Sequence, residues 1–260
     1  MSLCEEKLRR LLGEEVPVLQ VLEETSSTNA LLKTSIDLPH GSVLIAKRQT
    51  GGRGRLGRQF ASPAGGLYLS ILLHPRGAVG EQLHLTAMAA VAVRRGIAAA
   101  CGITPKIKWL NDLLVGGKKL CGILAELCFF EGAPRVVLGV GINCNSLPED
   151  FPPELRDTAC SLRQILGEKI DPNRLAVCII RQLLQMDRAL FSQKEEYLAE
   201  YAAACVTLGK AVRVLDPKGD YEALAVGIDP NGGLIVNLPD GSERVISTGE
   251  VSVRSTTGYA

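Results

Sequence analysis

Between Gly51 and Arg58 the chain reads Gly-Gly-Arg-Gly-Arg-Leu-Gly-Arg, three arginines on a glycine-punctuated loop. Glycine lets backbone N–H groups come close to a ligand, and each guanidinium presents a planar fork of donors suited to phosphate or carboxylate oxygens. Taken alone, such a loop is a phosphate cradle, an RNA-contacting Arg-Gly segment or a solvated turn. Its setting is one-sided. No Asp or Glu occurs between Asp37 and Glu81, whereas Lys47, Arg48, Arg53, Arg55, Arg58 and Arg76 all lie in that interval. The whole chain carries a formal net charge of only +1, so the positive field is local, which argues against a protein whose main task is to coat nucleic acid.

Two further segments carry chemistry. Lys108-Trp109-Leu110-Asn111-Asp112 places an amide beside a carboxylate at a strand break, a pair suited to Mg²⁺ or to ribose hydroxyls, because hard cations prefer oxygen ligands. Lys119 then heads the strand Leu120 to Phe130, apolar for several residues, where a lone ammonium either snorkels at the strand end or faces an anionic ligand. Gly139-Val140-Gly141-Ile142-Asn143 ends a strand in glycines, which permits close approach by a ligand or by another strand.

Local patterning supplies the elements that hold these groups. Leu8, Leu11 and Leu12 predict a short amphipathic helix, Val16 to Leu22 a strand, and Ser26-Ser27-Thr28-Asn29 the cap of a second helix. Strands Val43 to Ala46 and Leu67 to Leu73 pin the arginine loop at both ends. A long Ala-rich helix is predicted from Glu81 to about Ala100, stopped at Cys101-Gly102. Strand pieces follow at Lys106 to Trp109 and Leu113 to Val115. A Gly116-Gly117 hairpin turn, a strand to Phe130 and another over Arg135 to Asn143 come next. Thr158 to Leu166 and Asn173 to Tyr201 read as helices, the latter preceded by Pro172. Beyond Gly209 the texture changes to short strands at Val212 to Leu215, Ala223 to Ile228, Leu234 to Leu238 and Arg244 to Ile246. Asp216-Pro217-Lys218-Gly219, Asp229-Pro230-Asn231-Gly232 and Pro239-Asp240-Gly241 separate them. This spacing predicts a small all-β barrel of about fifty residues.

With 260 residues and 46% hydrophobic content the chain can bury one sizeable domain beside the small one. Its eight cysteines form no Cys-x-x-Cys pair and only three histidines occur, so neither a zinc cage nor a redox motif is visible. The start of the chain has no uninterrupted apolar stretch, and the Ala/Val run before Arg94-Arg95 is too short to span a bilayer. A soluble cytoplasmic protein with reduced cysteines is expected.

In this order and at these spacings, Ser27-Thr28-Asn29, Gly52 to Arg58, Lys108 to Asp112, Lys119 with Gly122-Ile123-Leu124, and Gly141-Ile142-Asn143 resemble the biotin-protein ligases. The resemblance covers nearly the whole chain. It implies an α+β fold: a class II synthetase-like catalytic domain of mixed sheet and helices over residues 1–207, followed by an SH3-like β-barrel over 208–260. It also implies ATP-dependent activation of biotin to biotinyl-5′-AMP, with Mg²⁺, and transfer to a lysine of a biotin carboxyl carrier domain, as in acetyl-CoA carboxylase or a related carboxylase. Monomer or homodimer stays open. Fewer than thirty residues precede Ser27, so the resemblance is to the monofunctional type without an N-terminal DNA-binding domain.

By the same resemblance Ser27, Thr28, Asn29 and Gln49 contact biotin, and Arg53, Gly54 and Arg55 close over biotin and the adenylate. Lys119 sits by the biotin carboxylate and the α-phosphate. Lys119, Arg53 and Arg55 are then the catalytic set, Arg58, Phe60, Asn111, Asp112 and Asn143 meet the nucleotide, and Asp112 is the metal ligand. Two positions depart from the family pattern: Leu110 stands where proline is typical, and Phe60 where Trp is common. A phenyl ring can still stack on adenine. A lipoate- or octanoate-protein ligase of the same architecture is the nearest alternative, and a nucleic-acid-binding module a more distant one.

Overall fold

A computed structural model describes residues 2–75, 84–215, 219–247 and 254–255. Its larger sheet has seven strands: β1 (Leu19–Leu22), β2 (Val43–Ala46), β3 (Leu67–Leu73), β4 (Lys106–Lys108), β5 (Asp112–Val115), β6 (Lys118–Phe130) and β7 (Ala133–Ile142). They lie in the order β1-β2-β3-β7-β6-β5-β4, with β1 and β2 parallel and every other neighbour antiparallel. All seven residues of β3 are buried, as its nearly unbroken apolar run requires of a central strand covered on both faces. The β6–β7 hairpin pairs from Cys121 opposite Ile142 to Phe130 opposite Ala133, and Gly116-Gly117 turns β5 into β6 with φ of 57° and 76°. Such a two-residue turn needs positive φ at both positions.

One sheet face is covered by α3 (Leu85–Cys101), α5 (Pro172–Ala189) and α6 (Lys194–Ala204). The Ala-rich α3 is buried over much of its length, and its Gly96 lets α5 approach so closely that a Cβ there would meet Ile179 Cδ1 at 2.7 Å. Arg94 and Arg95 both grip Glu200, at 2.7 and 2.6 Å, tying α3 to α6. On the opposite face, α2 (Thr28–Thr34) sets Leu32 against Leu44, Leu72 and Val137. The N-terminal α1 (Glu5–Leu12) is moored to the start of α5 by Lys7–Asp171 at 2.7 Å and by Cys4 N–H donating to Asn173 Oδ1.

The second sheet comprises β8 (Ala211–Val214), β9 (Tyr221–Ile228), β10 (Leu234–Asn237), β11 (Glu243–Ile246) and β12 (Arg254–Ser255), in the antiparallel order β11-β10-β9-β8-β12. This is the expected small β module, and among the described residues no pairing of β11 with β12 closes it into a barrel. It is joined to the larger sheet by Val206 N–H donating to Ile107 O and Trp109 Nε1–H donating to Gly232 O at 3.0 Å.

Several boundaries differ from expectation. The first strand starts only at Leu19, because a 3₁₀ turn over Gly13–Glu15 and then Pro17 precede it. The helix expected over 173–201 is two helices broken at Leu190–Gln193, with Glu195 and Glu196 in the first turn of α6 favouring a new N-terminus there. The helix expected from Thr158 is confined to α4 (Leu162–Leu166), because Ser161 and Gln164 form a capping box that fixes its start. The start at Glu81 of the helix that includes α3, as well as Arg76 and the turn residues Asp216, Pro217 and Lys218, lie outside the described residues. Among the described residues no helix is long and apolar enough to cross a membrane.

Candidate active site

A cavity of about 550 Å³ opens on the α2 side of the sheet. Its floor is made by glycines. Gly122 of β6 and Gly141 of β7 are directly paired, and Gly139, on the same face as Gly141, pairs with Leu124. A Cβ at Gly139 would collide with Asn29 Oδ1, and one at Gly122 or Gly141 would run into the Phe60 ring. The missing side chains make room for the Phe60 ring over Gly122 and Gly141 and for the Asn29 amide over Gly139. Every residue to which the resemblance gives a catalytic, substrate, nucleotide or metal role lines this cavity.

The polar end is built at the start of α2. Ser27 caps the helix by accepting from Ala30 N–H at 3.4 Å, which leaves its hydroxyl proton for a ligand acceptor. Gln49 Oε1 accepts from Thr28 N–H at 2.8 Å and from the Thr28 hydroxyl at 3.1 Å, while Gln49 Nε2 donates to Ser62 Oγ at 3.0 Å. Ser70, the one polar residue of β3 besides Tyr68, lies with its hydroxyl 2.7 Å from Thr28 Oγ1 and 2.6 Å from Asn29 Oδ1. Asn29 Nδ2 donates to Glu126 Oε2 at 2.9 Å and to Leu124 O at 3.3 Å. Two hydroxyl protons, those of Ser70 and Thr28, serve three close oxygen contacts, so this cluster is short of donors. It suits a ligand ring that brings N–H groups.

The other end is cationic. Arg53, Arg55, Arg58, Lys108 and Lys119 face the cavity against one lining carboxylate, Asp112. Lys119 Nζ lies 2.7 Å from Asp112 Oδ1 and 5.5 Å from the Phe60 ring centroid. The arginine loop is a small hairpin: Arg53 bridges Gln59, Gly54 N–H donates to Arg58 O at 2.7 Å, and Phe60 N–H donates to Gly52 O at 2.9 Å. The Gly54 N–H is thus used within the loop, and its guanidiniums supply the donors. Burial pushes Arg55 below its ordinary value, Arg58 adds to that, and Asp112 and Tyr201 act in the opposite direction. It remains a guanidinium at neutral pH.

Asn143 and Asn111 sit differently from a pair of free nucleotide contacts. The buried Asn143 spends Nδ2 on Lys119 O at 3.3 Å and Cys160 O at 2.9 Å. Lys119 N–H donates to Thr158 O, and Cys160 N–H donates to Lys119 O. Together these bonds fix the backbone from which the Lys119 side chain reaches the cavity. Asn111 Nδ2 donates to Ile123 O at 2.8 Å, which directs its oxygen away from β6. Leu110, at the position where the family carries proline, follows a cis peptide bond from Trp109, and its carbonyl accepts from the buried Tyr201 hydroxyl at 2.9 Å.

For a metal, the described residues hold no cluster of three or more His, Cys, Asp or Glu. Asp112 with the Asn111 oxygen nevertheless fits Mg²⁺, which is commonly bound by one or two carboxylates together with substrate phosphates and water. Residues that sequence reasoning left without a role are Lys108, Ser70, Glu126 and the Thr158–Cys160 segment. Ser70 and Glu126 were visible as polar interruptions in apolar strands. Nothing local announced that Thr158 would lie beside Lys119.

Residues 21–143 match the biotin/lipoate A/B protein ligase family, which is the class that this sheet and its glycine-floored cavity define. Residues 207–254 match the biotin protein ligase C terminal domain. The chain is 35% identical over 243 residues to the bifunctional ligase/repressor BirA of Bacillus subtilis, spanning 91% of this chain and 74% of that protein. It is 36% identical over 246 residues to the biotin--[acetyl-CoA-carboxylase] ligase of Mycobacterium tuberculosis, spanning 90% and 88%. The solved biotin protein ligase of Aquifex aeolicus in complex with biotin and ATP matches with a TM-score of 0.81 at 30% identity, covering 92% of this chain and 99% of that one. The chain belongs to the biotin protein ligase family.

Proposed function

We propose that this enzyme joins biotin to ATP, forming biotinyl-5′-AMP and pyrophosphate, and then passes the biotinyl group to a lysine ε-amine on a biotin carboxyl carrier domain. One observation carries the assignment: the cavity is acceptor-rich at one end and cationic at the other, with a glycine strip between that seats the Phe60 ring. A ureido ring brings N–H donors to Thr28, Asn29 and Gln49, and its carbonyl can accept from Ser27. A dithiolane ring offers no N–H, so the same polar end favours biotin over lipoate.

Bringing a carboxylate to a polyphosphate sets like charges against each other, and the cations answer that problem. Lys119, held by Asp112, is placed for the carboxylate and α-phosphate. Arg53 and Arg55 lie over the join, and Arg58 and Lys108 extend the field toward the remaining phosphates. When bound at Asp112 and Asn111, Mg²⁺ would neutralise part of the phosphate charge. The protein's own part is positioning and fixed charge, so no covalent enzyme intermediate is required. Phe60 supplies a flat face at the nucleotide side of the cavity, resting on Gly122 and Gly141. We assign the reaction to the cytoplasm, where ATP is available. We divide the labour between a catalytic unit over residues 1–207 and the β module over 208–260.

The test is direct. Incubated with biotin, Mg-ATP and an apo carrier domain, the protein should add a biotinyl mass to one carrier lysine. Pyrophosphate release with lipoate but not with biotin would overturn the assignment in favour of the related ligases. Salt-sensitive nucleic-acid binding without ATP turnover would do so in favour of a binding module.

A further inference from the structure

Glu126 has no part in the chemistry described above. It stands on β6 on the same sheet face as Gly122 and Leu124, within an otherwise apolar run, half-buried, between Asn29 and Lys33. One carboxylate oxygen accepts from Asn29 Nδ2 at 2.9 Å and the other from Lys33 Nζ at 2.9 Å. An Asn amide has two faces that differ only in which end donates, and a neighbouring carboxylate removes the ambiguity, since it can only accept. Nδ2 must face Glu126. Oδ1 must then face Ser70 and the space above Gly139, where it is held by the Ser70 hydroxyl at 2.6 Å.

We propose that Glu126 is a positioning residue that sets ligand specificity by fixing the polarity of the Asn29 amide, so that the polar end of the cavity presents an oxygen and admits rings carrying N–H donors. The inference rests on biotin as the substrate of this site. Glu126 stays ionised, because the hydrogen bonds from Lys33 and Asn29 and the charges of Lys33 and Arg53 outweigh the upward push of burial and hold it below its ordinary value. Lys33 makes the arrangement directional. With glutamine in place of Glu126, the ammonium would claim the new amide's oxygen and turn its N–H₂ toward Asn29. Asn29 would then rotate its own oxygen to meet that N–H₂, giving up its longer 3.3 Å bond to Leu124 O, and present a donor to the ligand side, donor against donor.

The near-isosteric Glu126→Gln variant should therefore weaken biotin binding about tenfold, the effect of losing one good hydrogen bond in the site. The Glu126→Gln/Lys33→Met double variant should recover most of that loss, because the introduced amide is then free to aim its oxygen at Asn29. Lys33→Met alone should bind biotin nearly as the parent does. The measurement is the biotin Kd by calorimetry for the parent and the three variants, with ATP-analogue affinity and thermal melting followed in parallel.

Unchanged biotin affinity in Glu126→Gln would overturn the proposal, as would equal weakening in the single and double variants. Parallel losses of biotin affinity, ATP-analogue affinity and melting temperature would also overturn it, by showing a general structural role. Pyrophosphate release by the parent separates the two levels. A parent that binds biotin yet releases no pyrophosphate removes the proposed reaction while the Kd series still decides the role of Glu126. A parent that does not bind biotin removes both.

Discussion

Lys119 and Asp112 sit on paired strands of one hairpin, and their side chains meet at 2.7 Å inside the cavity. The pair explains how an ammonium is kept at the head of an apolar strand: Asp112 compensates it and holds it in the cavity. When two anionic substrates enter, Lys119 can turn to them and leave Asp112 to a cation.

Lys119→Ala should cut biotinyl-AMP formation by about 10²- to 10³-fold, the size expected for removing one preorganised charge from the transition state. Secondary structure should persist, because the backbone of Lys119 stays tied to Thr158, Cys160 and Asn143. Pyrophosphate release read beside circular dichroism checks both halves, and near-parental release would remove Lys119 from the mechanism.

Arg55 differs from Arg53 and Arg58 in being half-buried near Asp112 and Tyr201, whereas the other two are exposed. It is the loop arginine best shielded from water and thus the one whose charge acts most strongly on a bound adenylate. Arg55→Ala should raise leakage of biotinyl-AMP into solution more than Arg58→Ala does. Chromatographic measurement of free adenylate per turnover tests the ranking, and equal leakage from the two variants would contradict it.

The strands that flank the arginine loop and the β6–β7 hairpin were legible because local patterns suffice: apolar runs bounded by Gly-Gly or by the cap at Ser27. The grouping of Ser27 to Asn29, Gln49, Lys119 and Asn111-Asp112 around one cavity was legible only through the ordered motifs, since each is ambiguous alone. What stayed hidden depends on tertiary pairing. Thr158 to Cys160 read as helix, yet they run beside Lys119 because Asn143 and the Lys119 backbone supply partners that no local window contains. Asn143 read as a ligand contact; it lines the cavity, and its amide donor in addition serves that same backbone, which no local window shows. The break at Leu190–Gln193 was missed because apolar residues resume at Tyr197 and Leu198, although the polar run Ser192 to Glu196, ending in the acidic first turn of α6, interrupts the spacing.

Gly139 should tolerate no side chain. A Cβ there would fall on the Asn29 carbonyl oxygen, and Asn29 cannot retreat, because Glu126, Leu124 O and Ser70 hold its amide. Gly139→Ala is therefore expected to weaken biotin at least tenfold by displacing Asn29. Gly132→Ala, in the distant β6–β7 turn where a Cβ meets nothing within 4 Å, should leave biotin affinity near parental and lower stability only, because its φ is +82°. Calorimetric titration with biotin, compared with thermal melts, separates the two glycines. Parental affinity in Gly139→Ala would mean that Asn29 can move without consequence.

Asp171 anchors both α1 and the start of α5: it takes Lys7 Nζ at 2.7 Å and accepts from Asn173 N–H at 2.9 Å. Burial alone would raise its carboxyl, but the hydrogen bonds from Lys7 and Asn173 and the Lys7 charge win and bring it down from 3.8 to about 2. Because the folded value lies below the unfolded one, the stabilisation is fully present above about pH 4 and is lost as the pH falls from there through about 2. Asp171→Asn keeps a side-chain oxygen for the helix cap and removes only the charge. With the pair partly exposed, it should cost about 1 kcal/mol at neutral pH, or a melting shift of about 2–4 °C for a chain of this size. Urea midpoints of parent and variant should stay apart between pH 5 and 8 and converge below pH 4, and a gap independent of pH would show that the Lys7–Asp171 charge pair is not what moors α1.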